Sequence, residues 1–541
     1  MSTPSAGETA DTGATAEAAG TEVANRRRLV LSTFVFSLAT ALSRVLGLVR
    51  EMVASYYFGA RGPINNFTIA FQIPNLVRAL VADAALSSAF VPVFSDLLEQ
   101  GDRKRAWRVA STLFWLMLLG LGALTALFML VAPLVVRPFD PPDADLTVGL
   151  SRVLFPIVAL LGVSGIVVGI LNSYDHFSIP ALTPVFWNLA IIVGLAIGVP
   201  RADGSDAKLY VYAASILVGT LVQVLLPIPW LRGRDDRLRL VIDWRDPAVG
   251  RTLKLMLPVT LGLGLINVNA LVDTFFASRF IDPELAPTAI DKAFRVYMLP
   301  QGMFSVAVAT VLFPSLARLA ARGDLAGFRH TVSLGLRQIA FLLVPASVAT
   351  AVLAEPIVRL LYQRGQFDPH QTRVVAGALA AFALGLTFNG TMLMLNRSFF
   401  SLQENWVPTV VAVANLVVNA ALDLVLYRVG VWGIPLSTAV VNVAGTTALL
   451  VLLRRRVGSM EGRATASATL RIVAASALLG AAAYPIWRVL DDALGRAWPA
   501  QVASLGAALV VGGTLYLAAC RALRVREIDA LLSLRSRFRR S

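Results

Sequence analysis

The chain has 541 residues, 57% of them hydrophobic, a mean hydropathy of +0.70 and only 15% charged residues, against ~25% in soluble domains. This excludes a soluble enzyme with one anchor and describes a polytopic membrane protein. A formal charge of +15 fits cytoplasmic loops and anionic headgroups, not nucleic acid. The single cysteine, Cys520, excludes an intramolecular disulfide, and His176, His330 and His370 are too scattered to pair on a metal.

Residues 1–25 lack apolar periodicity and read as a disordered tail. Arg26, Arg27 and Arg28 then precede an apolar run. That order also describes a signal peptide cleaved near Ala39-Thr40-Ala41, but the run continues past it and cleavage would discard half of the first span. Apolar runs of spanning length, ~17–25 residues, recur near 29–58, 64–96, 106–136, 146–172, 180–199, 208–231, 249–280, 287–319, 328–362, 371–398, 407–429, 432–453, 466–490 and 499–522. The expected fold is therefore all-α, with fourteen transmembrane helices.

Loop charges test this count. Arginines cluster before the first run, in the loops at 103–108, 232–248, 318–329 and 454–463, and after Arg521. With fourteen spans all of them fall on the cytoplasmic side, with both termini. Asp140-Pro141-Pro142-Asp143 and Asp491-Asp492 fall on the other side. The ninth loop, with Arg359, Arg364 and Arg373, breaks the pattern.

The chain also repeats itself. Phe90-Val91-Pro92 with Gly101-Asp102 resembles Leu312-Phe313-Pro314 with Gly323-Asp324, at offset 314 − 92 = 222. Leu171-Asn172 and Pro184 resemble Leu395-Asn396 and Pro408, at offset 395 − 171 = 224. Two six-helix lobes follow, at 29–231 and 249–453, joined by a loop at 232–248. An even number of spans per repeat orients both lobes alike, about a pseudo-two-fold axis along the membrane normal. A helix pair in 454–522 and a basic tail, 523–541, lie outside the repeat, as does the tail at 1–28.

Ionisable groups inside spans cost at least ~2.5 kcal/mol each on insertion scales. They concentrate in SRVLGLVREMVASYYFGARGPINNFTIAFQIPNLVRALVADAALSSAFVP, residues 43–92, as Arg44, Arg50, Glu51, Arg78 and Asp83, with Arg61 in a turn. Arg44, Gly47 and Glu51 share one helical face, and Gly47 permits close approach of a backbone or a ligand. Pro74 is expected to kink the second span one turn before Arg78. The second lobe adds Arg295, one turn before Pro300. Four arginines against Glu51 and Asp83 leave 4 − 2 = +2, a balance suited to a diphosphate or polycarboxylate, which arginine grips in two-pronged fashion.

These residues carry a family resemblance. SRVLGLVRE, FGA and AFQIPNLVRALVADAALSSAFVPVF resemble the MurJ (MviN) lipid II flippases of peptidoglycan synthesis, within the multidrug/oligosaccharidyl-lipid/polysaccharide exporter superfamily. The likeness runs from about Leu29 to Arg526. It implies a central cavity between lobes and movement of lipid II, an undecaprenyl-diphosphate-linked disaccharide pentapeptide, from the inner to the outer leaflet of the bacterial cytoplasmic membrane. By motif, the substrate-binding set is Ser43, Arg44, Gly47, Arg50, Glu51, Arg78, Asp83 and Arg295. The chain departs from the family at Asn65-Asn66-Phe67, where an acidic gate residue is common. Asp273, Asn419, Asp423 and Thr438 resemble a sodium site of some members; the spacing of Asn419 and Asp423 suits two ligands to one ion and equally a buried Asn–Asp hydrogen bond. Helices thirteen and fourteen resemble a pair lining a groove for a lipid tail.

The resemblance implies lipid II and membrane lipids as partners, other cell-wall proteins besides, and a monomer. The alternative is a related exporter of another polyprenyl-linked glycan or of drugs, although the arginine set disfavours cationic drugs. A membrane-embedded enzyme would need a large loop with a catalytic carboxylate or histidine, and a passive scaffold leaves charge at membrane depth unexplained. No Gly-rich phosphate loop is present, so ATP is not expected as the driver.

Overall fold

The computed structural model of the protein describes residues 38–81 and 84–528, without the side chains of 80–88 and 257–266. Asp83 lies outside the described residues. All regular structure among the described residues is helical. The first repeat holds α1 (38–58), α2 (Ile64–Val81), α3 (Ala84–Glu99), α4 (Arg103–Val136), α5 (Ala144–Leu154), α6 (Pro156–Ser173), α7 (Ser178–Gly198) and α8 (Ser205–Leu225). The second holds α9 (Pro247–Phe276), α10 (Ala286–Pro300), α11 (Val306–Ala321), α12 (Leu325–Val352), α13 (Ala354–Tyr362), α14 (Pro369–Ser401), α15 (Trp406–Leu426) and α16 (Gly433–Val457), followed by α17 (Gly462–Leu494) and α18 (Trp498–Ala522).

Eleven helical segments among the described residues are long and apolar enough to cross a membrane. The stretches α1, α2–α3 and α9 lie outside that count, so length and composition do not reach the expected fourteen. α1 carries Arg44, Arg50 and Glu51, and α2 carries Asn65, Asn66, Gln72, Asn75 and Arg78.

The chain forms two compact units. The first takes the chain up to Val53, Val77–Met129 and Val153–Thr260. Its core gathers Phe90, Phe94, Trp107, Ile166 and Ile170. Gly169 lets α6 meet α3, for a Cβ there would stand 2.6 Å from the Phe90 ring. The basic loop before α9 is pinned to α4. Arg105 holds Asp246 through two bonds of 3.0 Å, Arg103 pairs with Asp235 at 2.6 Å, and the Trp115 indole donates to the Arg239 carbonyl at 2.9 Å. The Arg105 guanidinium holds the Asp246 carboxyl below the usual carboxylate range.

The second unit takes Ala54–Leu76, Leu130–Arg152 and the chain from Leu261 onward. It therefore incorporates the end of α1, the start of α2 and the turn between α4 and α5 from the first repeat. Its core includes Tyr297, Leu379, Phe382, Met394 and Phe399. Pro300 ends α10 in a π-helical turn, Gln301–Ser305, before α11 continues; such turns relieve a helix that loses a backbone donor. α17 lies on α12, where Gly480 meets Val348, and the Tyr516 hydroxyl of α18 donates to the Phe341 carbonyl at 2.6 Å.

The arginines of the ninth loop have structural work. Arg359, on α13, is buried, grips both carboxylate oxygens of Asp491 on α17, one at 2.9 Å, and lies 5.3 Å from the Trp487 ring centroid. Arg364 donates to the Leu360 carbonyl and stands 5.6 Å from the Trp498 ring centroid. Two of the three are thus held in tertiary contacts with α17 and the start of α18, a structural use of charge outside the loop-charge pattern; Arg373 is exposed.

The repeat is visible in the helix ends. Gly101 and Gly323 both take left-handed φ, +79° and +68°. Asp102 N donates to Leu97 O at 3.1 Å and Asp324 N to Leu319 O at 3.0 Å. Both aspartates then cap the next helix, accepting from Arg105 N and Gly327 N at 3.2 and 2.8 Å. Every one of these correspondences has offset 222. Further on the register moves. α6 ends at Ser173 and α14 at Ser401, Asp175 and Gln403 are left-handed, and α7 and α15 start at Ser178 and Trp406. These differ by 401 − 173 = 228, so the structural counterpart of Pro408 is Pro180. The sequence match at offset 224 slips by one helical turn.

Candidate functional site

In the first unit, Arg50 and Glu51 are buried, 8% and 7% exposed, and pair at 2.7 Å. The guanidinium lies 4.7 Å from the Trp187 ring centroid on α7, a cation–π arrangement. Beside Trp187, Asn188 donates to the Ser43 carbonyl at 3.3 Å and to the Pro184 carbonyl at 2.9 Å. Its Oδ1 is buried without a partner, as is Arg50 Nε. A Cβ at Gly47 would meet Asn188 Oδ1 at 3.8 Å, an ordinary contact, so that crossing does not require glycine.

Arg44 is exposed, with no hydrogen bond or ion pair among the described residues, and Glu51 engages Arg50 rather than its expected face-mate Arg44. Arg78 is half-buried. Thus Ser43, Gly47, Arg50 and Glu51 come together, around Trp187 and Asn188, which the sequence did not single out.

In the second unit, Arg295 Nε donates to Asp291 Oδ2 at 2.7 Å, one turn away on α10. Lys292, 4% exposed, donates to Ser55 Oγ at 2.7 Å and lies 5.1 Å from the Tyr362 ring centroid. Asp291 and Lys292 also escaped the sequence reading. The signal that flagged Arg295, charge inside an apolar run, applies equally to both.

Close to Ser55, the turn 58–63 is clasped. Gly62 N donates to Glu284 O at 2.7 Å, Ala60 N to Gln371 Oε1 at 2.6 Å, and Gln366 N to Tyr56 O at 3.0 Å. Gly59 has φ +67°, and a Cβ there would stand 2.7 Å from Gln366 O. Asn65 is fully buried. Its amide nitrogen donates to the Ala60, Gly62 and Glu284 carbonyls, while its oxygen accepts from Thr288 N at 2.9 Å. Thr68 meets Thr288 at 2.8 Å. Asn66 Oδ1 accepts from Asp143 N and Thr147 Oγ1 at 3.0 and 3.1 Å. The departure from the acidic family pattern has a physical reason here: an ionised carboxylate accepts hydrogen bonds and cannot donate to carbonyls.

The third group lies on α9, α15 and α16. Asn419 Nδ2 donates to Asp273 Oδ1 at 2.8 Å and to Asp423 Oδ2 at 3.0 Å. Asn269 donates to Asp273 Oδ2 at 3.2 Å, and Ser437 Oγ to Asp423 Oδ1. Asn419 Oδ1 and Thr438 Oγ1 are buried without partners. The spacing therefore yields the Asn–Asp hydrogen bond. It also leaves two buried carboxylates with no basic partner among the described residues and one spare oxygen, Asn419 Oδ1, on the amide that bridges them; Thr438 follows Ser437, the hydroxyl that bonds Asp423. An all-oxygen set with excess negative charge fits a hard cation such as sodium.

A profile of the family described as "Lipid II flippase MurJ" matches residues 54–493. The chain belongs to the MurJ family. It is 33% identical to the probable lipid II flippase MurJ of Rhizobium meliloti over 460 residues, 82% of this chain and 84% of that one. It is 30% identical to the Haemophilus influenzae protein of the same name, over 89% of this chain and 98% of the other. A solved structure described as lipid II flippase MurJ in an inward closed conformation superposes with TM-score 0.76 at 23% identity, covering 92% of this chain and all of the other. An inward-facing transporter of the multidrug MATE family matches with TM-score 0.61 at 18% identity, over 80% of this chain and 97% of its own. The family is one of transporters, not enzymes, and the chain is a multi-span membrane protein.

Proposed function

We propose that this chain moves lipid II from the inner to the outer leaflet of the bacterial cytoplasmic membrane by alternating access. The relatives' names supply the substrate, and the observation that carries the mechanism is the clasp. It ties the turn between the first two spans of one repeat to α10 and the α13–α14 segment of the other through reversible hydrogen bonds. With the N-terminus in the cytoplasm, that turn lies on the outer side. The latched state then admits a headgroup from the cytoplasm, and release of the clasp lets it leave outward.

Arg44, Arg50, Arg78 and Arg295 take the diphosphate in this reading, with Ser43, Gly47 and Glu51 in the same set and Asp83 assigned to it by motif alone. Glu51 and Asp291 hold Arg50 and Arg295 while no ligand is bound, which lowers the cost of returning empty. A net anion leaving a negative cytoplasm gains ~2.3 kcal/mol per charge per 100 mV, so membrane potential favours export. Asp273, Asn419, Asp423 and Thr438 would hold sodium, which would supply the positive charge that the two buried carboxylates lack. The chain acts as a monomer in this scheme.

The test is complementation of a strain depleted of its lipid II flippase, read with a leaflet assay for lipid II. Alanine at Arg44, Arg78 or Arg295 should abolish flipping at near-normal protein level. Full rescue by all three variants overturns the substrate assignment.

A further inference from the structure

At the end of α18 the chain builds a feature that transport of a central substrate does not use. Arg471 of α17 and Arg521, Arg524, Val525, Arg526 and Ile528 line a cavity of about 380 Å³, within the roughly 300–1,000 Å³ usual for ligand sites. None of the four guanidinia has a hydrogen bond or ion pair among the described residues. Glu527, beside them in sequence, is buried and turned toward Arg337 at 3.0 Å, whose other partner is Glu461 at 2.9 Å. The pocket's positive charge therefore goes without that neighbour's carboxylate.

The backbone commits to this arrangement. Val525 N donates to Cys520 O at 2.9 Å, closing the helix with a left-handed residue. That position favours glycine, yet here it is Arg524, at φ +54°. Val525 and Ile528 are buried and anchor the turn. A strained arginine on an anchored turn, facing three more unpaired arginines, is a constellation built for an anion.

We propose that this pocket binds a phosphate group, and that its natural source is the headgroup of an anionic membrane lipid. Arg521 falls in the last turn of a spanning helix, at headgroup depth. Leu470 is 71% exposed and Leu517 42% exposed near the arginines, which leaves apolar surface for acyl chains. A guanidinium cluster with an apolar flank suits a phosphodiester on a lipid better than a free ion.

The experiment uses the full chain, in nanodiscs of phosphatidylcholine with or without phosphatidylglycerol of the same acyl chains, and in detergent with inorganic phosphate or pyrophosphate. Lipid retention is read by native mass spectrometry and stability by thermal unfolding. Phosphatidylglycerol should be retained at least five-fold over phosphatidylcholine, and Arg471→Ala/Arg521→Ala should remove that preference. Arg524→Gly should also lose it while keeping or raising the unfolding temperature, since glycine relieves the left-handed turn; this separates binding from folding. Stabilisation by the lipid alone identifies a membrane lipid as occupant. Stabilisation by phosphate as well identifies the phosphate group itself as the recognised element. Equal retention of both lipids, or an unchanged preference in Arg471→Ala/Arg521→Ala, overturns the site.

Discussion

The clasp around Asn65 and the acid pair around Asn419 lie in the same compact unit, and both are buried asparagine networks. They differ in how their polar atoms are used. Asn65 spends its nitrogen on three carbonyls and its oxygen on an amide. Asn419 spends its nitrogen on two carboxylates and leaves its oxygen idle. A saturated network holds parts of the protein together. An unsaturated one that also carries net charge invites something from outside. Arg50 stands between the two, paired with Glu51 and stacked near Trp187 but with Nε unused.

The strongest way to break the contrast is Asn65→Ala. It leaves the Thr288 N–H and the Ala60 carbonyl without their partner, while Glu284 O keeps Gly62 N and Gly62 O keeps the backbone N of residue 65, at a cost of about 2–4 kcal/mol. The thermal unfolding temperature should fall, and a cysteine placed at Thr68 should become reactive to a water-soluble maleimide. An unreactive cysteine would mean that the clasp does not depend on this amide.

Next is Arg50→Lys, which keeps charge but loses the planar fork and its stacking, about 1–2 kcal/mol or roughly five- to thirty-fold in flipping rate. A rate equal to wild type would demote Arg50 to a structural ion.

Sodium sharpens the other side of the comparison. Exchange of choline for sodium at ten times the dissociation constant should stabilise the wild type by about 1.4 kcal/mol. Asp423→Asn should abolish that increment without unfolding the protein, because an amide still accepts from Ser437. Equal stabilisation of both proteins would leave the pair as a plain hydrogen-bonded contact.

The smallest effect concerns Asp246. Arg105 depresses its folded pKa, so its contribution to stability is complete above the unfolded value of ~3.9 and is lost as pH falls through the lower folded value. Hydrogen exchange of the loop 232–246 should therefore quicken only well below pH 4. Quickening already between pH 7 and 5 would point to another group.

Much of this was readable beforehand, for identifiable reasons. The motif SRVLGLVRE and its continuation marked the family, and hydropathy marked the spans, because both signals are local. Charge inside an apolar run singled out Arg50 and Glu51, which are buried and paired. Exposure of Arg44 did not follow, since helical spacing says which residues share a face and nothing about which face is covered. Thr438 was singled out, yet the adjacent Ser437 is the hydroxyl that bonds Asp423; neighbours on a helix point about 100° apart, and only the packing of α15 on α16 chooses between them. The slip from Pro180 to Pro184 has a similar origin, because two prolines one turn apart satisfy the same short pattern. Asn65 read as a lost acid because its donors matter only once the carbonyls around it are placed.

The register change between the repeats, from 222 to 228, means that the second copy is six residues longer between the start of α12 and the end of α14, the interval that holds α13. That helix carries Arg359, whose counter-ion sits on α17, outside the duplicated portion. The longer copy is therefore the one that hosts the appended helix pair, and host and guest share a buried charge. Their union is not a matter of greasy surfaces alone: a chain ending at 457 would leave the Arg359 guanidinium without the carboxylate that grips it and without the Trp487 ring beside it. The last two helices therefore complete a buried ion pair whose other half belongs to the second copy.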